Sequence, residues 1–129
     1  MSSSVNGIPA DRVHMAWPEA REYLLPAIER TGGRLDESSV LSALLKREMQ
    51  LWMAERGAMV TEVITYRTRL KAAQIVLVGG KMDKWLHLLP VIESWAQSLG
   101  CDVIETDGRK GWSRILDWAE TTVHLERRL

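Results

Sequence analysis

The chain has one cysteine, Cys101, no phenylalanine and no surplus charge: seventeen Lys and Arg cancel seventeen Asp and Glu. A lone cysteine excludes an internal disulfide framework and a cysteine-rich zinc site, and such a chain suits a reducing compartment. Zero net charge argues against a general nucleic-acid binder, which carries a basic excess to neutralise phosphates. It also withholds the repulsion that keeps free proteins apart, so a chain of this kind suits an assembly. No apolar run approaches the roughly 18 residues that cross a membrane. The opening Met1-Ser2-Ser3-Ser4-Val5-Asn6-Gly7 has neither a basic stretch nor an apolar one and does not read as a signal peptide. His14, His87 and His124 are scattered and lack the i, i+4 pairing of a zinc helix, so no metal site is expected. No Gly-x-Ser-x-Gly elbow surrounds Ser113.

What is present is the material of one domain. With 129 residues and an apolar fraction of 46%, the chain should expose roughly 7,000 Å² and build a core without staples. Six Trp stand against two Tyr. A Trp buries a large surface and carries an N–H that needs a partner. Trp17, Trp85 and Trp95 fall at helical spacings and are expected in the core. Cys101, directly after Gly100, reads as a small buried residue at the start of a strand.

The periodicity predicts the elements in order. Residues 1–13 read as a polar, loop-like arm and 14–129 as the domain. A helix over 17–31 carries Trp17, Ala20, Leu24, Ala27 and Ile28 on one stripe. Pro18 would take its first position, and Pro26 would bend it. Asp36 caps a second helix over 37–48, with Lys46-Arg47-Glu48 at its solvated end. Strands follow over 50–55, 58–66 and 73–78, the last nearly continuously apolar, as in a strand covered on both faces. Asp83 caps a long helix to Leu99, in which Pro90 marks a kink or a restart. A strand over 101–106, a short helix over 111–118 and a half-buried terminal strand over 121–127 complete the chain. No repeat or linker interrupts it.

This order of elements resembles the GNAT family of N-acetyltransferases: two helices, an antiparallel meander, then a strand, a glycine turn and a helix. The matching piece here is Ile75–Val78, Gly79-Gly80, then Asp83–Leu99. A second likeness is more particular. Trp95-Ala96, Gly100-Cys101 and Gly108-Arg109-Lys110-Gly111-Trp112 are similar to a pattern in small GNAT-like proteins encoded among structural genes of tailed, especially short-tailed, bacteriophages. The resemblance implies a single α/β (α+β) domain with a mixed, mostly antiparallel sheet flanked by helices.

In that family the turn after the fourth strand follows Arg or Gln, two residues, Gly, one residue, then Gly or Ala. Its backbone N–H groups and the next helix N-terminus hold the pyrophosphate of acetyl-CoA. The corresponding candidates here are Val78, Gly79, Gly80, Lys81 and Lys84. They depart from the pattern. The glycines are adjacent, no Arg or Gln stands at the place the pattern requires, and Asp83 brings negative charge where phosphate would sit, offset in part by Lys81 and Lys84. The family also uses a Glu general base and a Tyr acid, for which Glu55, Glu62 and Tyr66 are the candidates, Tyr23 being the other tyrosine. The last helix, where the family often places its Tyr, holds Trp112 and Trp118 instead.

Together with these departures and the zero net charge, the resemblance to the phage-encoded proteins implies a non-catalytic virion protein made in the host bacterial cytoplasm, without a cofactor. Its partners would be portal, tail or internal proteins of the particle. Arg109, Lys110, Trp112, Trp118, Arg127 and Arg128 are its candidate contact residues. One alternative is an active acyltransferase using acetyl-CoA in a groove between strands 58–66 and 73–78. Another is a module that binds a host factor.

Overall fold

The computed structural model describes residues 6–108 and 111–129, except for the side chains of Asn6, Met82 and Lys84. Five strands form one sheet in the order β1 (Asn6–Ile8), β2 (Gln50–Ala54), β3 (Gly57–Thr65), β4 (Lys71–Gly80) and β5 (Val103–Thr106). Neighbours from β1 to β4 are antiparallel, and β5 joins β4 in parallel. A parallel neighbour needs a crossover. Here that connection carries α3 (Met82–Trp85), a 3-10 turn at Leu86–Leu88 and α4 (Leu89–Ser98).

Alternation along the strands sorts the core into two layers. Leu51, Met53, Ala58 and Val60 pack with α1 (Val13–Glu29) and α2 (Glu37–Leu45) on one face. Trp52, Ala54, Met59 and Ile75 pack with Trp85, Leu88 and Ile92 on the other. Each such fully buried aliphatic chain contributes about 1.5–3 kcal/mol against exposure. Trp17 and Trp85 are core, and Trp95 packs half-buried with its ring 5.3 Å from that of Trp52.

Several expectations need correction. Residues 6–8 are not loop but an edge strand on β2, and a 3-10 turn at Ala10–Arg12 feeds α1 four residues early. Val13 lies one turn before Trp17 on the same stripe and is buried, which draws the helix back to it. Pro18 is therefore interior, and α1 runs through both prolines. Pro18, Pro26 and the residues four before them, His14 and Glu22, are exposed, so each carbonyl left without an N–H partner faces water. The second helix ends at Leu45 because Arg47 turns left-handed (φ 66°) and Glu48 N–H donates back to the Ala43 carbonyl at 2.9 Å. Pro90 marks the restart at α4, and Asp83 lies inside α3 rather than capping it. Residues 121–127 form no strand. They are irregular and exposed, and the total accessible surface of 8861 Å² exceeds the compact expectation in part because of them.

Two polar networks tie the elements. Asp36 and Ser39 form a capping box on α2. Beside it Glu37 accepts from Trp17 Nε1 at 2.9 Å, Arg21 Nε at 2.7 Å and Arg21 Nη2 at 3.0 Å, locking α2 to α1. Within the sheet, Trp52 Nε1 donates to Thr61 Oγ1, which donates to Gln50 Oε1, both at 2.9 Å.

The Arg21 bonds and the Trp17 N–H draw the Glu37 carboxyl from its ordinary 4.5 down to about 2. A carboxyl depressed in the folded state stabilises above its unfolded pKa and loses that contribution as pH falls through its folded one. Urea denaturation across a pH series should show stability declining between about 4.5 and about 2. A Glu37→Gln variant should be less stable at neutral pH and decline less steeply in that window. Thr61→Val strands the buried Trp52 N–H, and equilibrium unfolding should report a loss of about 1–3 kcal/mol.

Candidate functional site

The register of β4 opens the molecule at one place. Its pairing with β3 steps from Val60↔Leu77 to Thr61↔Ile75, so Val76 has no partner on β3. A bulge of this kind bends its strand and increases the twist. The parallel ladder with β5 stops at the same level: Ile75↔Thr106 is its last pair, closed by Thr106 Oγ1 donating to the Ile75 carbonyl at 2.9 Å. Beyond it Leu77–Gly80 keeps β3 on one side, and Val76–Gly80 has no strand on the other among the described residues.

The space beside that edge is a groove in two parts. One cavity of about 370 Å³ lies between Ile75–Val78, the C-terminal turn of α1 and Asp107, with His124 from the tail at its wall. A second, of about 380 Å³, lies between Tyr23 and Pro26 of α1 and Gly79-Gly80. Arg30, Val78 and Trp112 line both. Much of the polar lining is already engaged. Thr31 Oγ1 donates to the Ile28 carbonyl, Gln74 donates to Glu105, and Arg34 donates to Glu126 at 2.5 Å.

The groove is not where the sequence placed it. Strands 58–66 and 73–78 are hydrogen-bonded neighbours and leave no space between them; the opening lies on the other edge of β4. Val78 lines it, half-buried. Gly79 and Gly80 lie beside it but belong to the strand, paired with Ala58 and Gly57. A Cβ on Gly79 would overlap the Tyr23 carbonyl oxygen, and one on Gly80, at φ +98°, would overlap that of Arg56. Lys81 is exposed and is the single residue between β4 and α3. The Lys84 side chain lies outside the described residues.

The acid–base candidates are not gathered. Glu55 is exposed in the turn between β2 and β3, beside the Gly80 end of the sheet. Tyr66 is exposed past the opposite end of β3, a strand of nine residues and so about 30 Å long. There Tyr66 donates to Glu105 Oε2 at 2.5 Å, and that bond raises the phenol pKa, making it a poorer acid. Glu62 is half-buried on β3 opposite Gln74 and does not line the groove. The residues that do line it, Arg30, Thr31, Arg34 and His124 among them, carry no local motif. Only the docking of α1 and the tail brings them together.

Trp112 opens α5 (Trp112–Leu116) and packs against Trp85 at 5.3 Å between ring centres. Gly108 sits where a Cβ would lie 2.6 Å from the Trp112 ring, and Gly111 is left-handed at φ +96°. The glycines of this motif therefore serve the seating of one indole. Trp118 packs half-buried against the same core layer, while Arg127 and Arg128 are exposed. Arg109 and Lys110 lie outside the described residues.

No family model matches the chain, and no curated protein sequence matches it. Solved structures do. A ribosomal-protein-alanine N-acetyltransferase from Brucella melitensis is 16% identical, with 94% of this chain and 99% of that one covered at a TM-score of 0.57. A GCN5-related N-acetyltransferase from Ralstonia eutropha is 14% identical, covering 96% and 97% at 0.61. A predicted acetyltransferase from Clostridium acetobutylicum, solved with acetyl-CoA, is 12% identical, covering 96% and 94% at 0.63. The chain thus has the GNAT fold over nearly its whole length.

Gly79→Ala should push β4 off the α1 backbone and destabilise the protein by about 3 kcal/mol or more, read by chemical denaturation.

Proposed function

We propose that this GNAT-fold chain is a non-catalytic structural component of a tailed-bacteriophage particle, which uses the scaffold for packing among other virion proteins. The observation that carries the reading is the state of the turn after β4. A pyrophosphate cradle needs several backbone N–H groups in a row that bond to nothing else. Here the strand ladder runs to Gly80, α1 backs directly onto Gly79, and one residue remains before a helix of four. So short a helix sums few peptide dipoles. These residues do not fit the phosphates of acetyl-CoA. The scattering of Glu55, Glu62 and Tyr66 supports the same reading, as does the motif ending in Gly111-Trp112, whose glycines serve packing rather than chemistry.

One observation favours a second reading, an acetyl-CoA-dependent N-acyltransferase. The unpartnered edge Val76–Gly80 is suited to an extended amide chain added as a further strand. A pantetheine arm is such a chain.

Two measurements decide. Mass spectrometry of purified particles should find the protein as a constituent, and its absence from them would sink the structural reading. Calorimetric titration with acetyl-CoA should give no heat up to millimolar ligand; saturable micromolar binding with acetyl transfer to an amine would establish the enzyme instead.

A further inference from the structure

The charges cancel over the whole chain but are sorted on its surface. The outer face of α1 is acidic. Glu19 and Glu22 stand one turn apart, both exposed, and no Lys or Arg lies three or four residues from either along the helix. Arg21, next to Glu22 in the chain, is held by Glu37. Pro18 and Pro26 have no N–H to give the His14 and Glu22 carbonyls, so the same face also offers main-chain acceptors. Met15, one turn before Glu19, is 83% exposed, more than any other large apolar side chain before the tail among the described residues.

The tip of the β3–β4 hairpin is the complement. β2 pairs with β3 only as far as Thr61, so Glu62–Thr65 carry the turn Tyr66–Leu70 out past β2. The turn is closed by Tyr66 N–H donating to the Leu70 carbonyl and Arg69 N–H donating to the Tyr66 carbonyl, both at 2.9 Å. Arg67 and Arg69 are exposed, no acidic residue lies between Thr65 and Lys71, and neither guanidinium has an ion-pair partner among the described residues. Glu105, beside the tip, accepts from Tyr66 and Gln74. Arg69 is left-handed at φ 75°, a backbone angle that glycine takes at less cost. Tyr66 and Leu70 frame the two arginines with half-exposed apolar surface.

We propose that the Tyr66–Leu70 tip of one copy docks on the outer face of α1 of a second copy. The two guanidinium groups bring donors only, and the α1 face meets them with carboxylates and carbonyls free to accept. Arg67 and Arg69 pair with Glu19 and Glu22, a match that the planar fork of Arg makes in parallel bonds. Tyr66 and Leu70 cover Met15, whose unbranched chain adapts to the surface it meets. The two patches do not pair within one chain: no ion pair joins them among the described residues. Each copy carries one tip and one acidic face, so the contact can repeat from copy to copy. This goes beyond the virion reading, and neither coenzyme nor particle enters its test.

The test is sedimentation velocity on the full chain over a concentration series, at about 50 mM and about 500 mM salt. The expected result is self-association at low salt that is lost at high salt. Arg67→Glu/Arg69→Glu and Glu19→Lys/Glu22→Lys double variants change only exposed side chains, so far-UV circular dichroism should be unchanged. Each alone should weaken self-association at least about tenfold. An equimolar mixture of the two should associate again, because the acidic tip of one then meets the basic α1 face of the other. A monomer at every concentration in low salt, or an association that survives either double variant, overturns the proposal. So does a pair of weakened variants whose mixture stays dissociated, because tip and helix then meet other surfaces.

Discussion

Gly79 rests against the backbone of α1 at Tyr23 with no space for a methyl group, and much of the molecule follows from that contact. It fixes how near the helix comes to β4, and therefore how wide the groove beside the bulge at Val76 can be. Beside that contact the strand ladder runs on to Gly80, which pairs with Gly57. The fold by itself does not settle what the chain does, since function resides in particular groups and not in the fold.

The tryptophans take over part of the structural load. Two pairs, Trp52 with Trp95 and Trp85 with Trp112, stand at 5.3 Å between ring centres on the α4 side of the sheet. Such pairs contribute about 0.5–1.5 kcal/mol beyond the area they bury. Trp85 follows β4, and Trp112 follows β5, so their contact spans the place where the two strands part. With no phenylalanine in the chain, indoles supply the bulk, and each buried N–H then needs an acceptor. Thr61 meets that need for Trp52, and Glu37 for Trp17.

Much of the fold was legible because its signals are local. The stripe from Trp17 to Ile28, the capping residue Asp36, the β-branched run through Val60–Thr65 and the restart at Pro90 each act through neighbours a few residues apart. The errors have equally physical causes. Val13 extended α1 backwards because burial overrode the polar look of residues 10–12. Prolines inside α1 were tolerated because they face water. The alternation over 121–127 predicted a strand that does not form: those residues are irregular and exposed, held by side-chain contacts such as Arg34 with Glu126.

The sequence by itself determined the order of elements from α1 to α5, the two-sided burial of β4 and the departure of Gly79-Gly80 from a phosphate-binding pattern, since these depend on residue type, spacing and backbone freedom. Only the tertiary structure decided where the groove lies, that Arg30, Thr31, Arg34 and His124 share it, and that Glu55 and Tyr66 stand at opposite ends of a strand. Those facts depend on a one-residue shift in register and on the approach of a distant helix, and neither leaves a mark in any short stretch of chain.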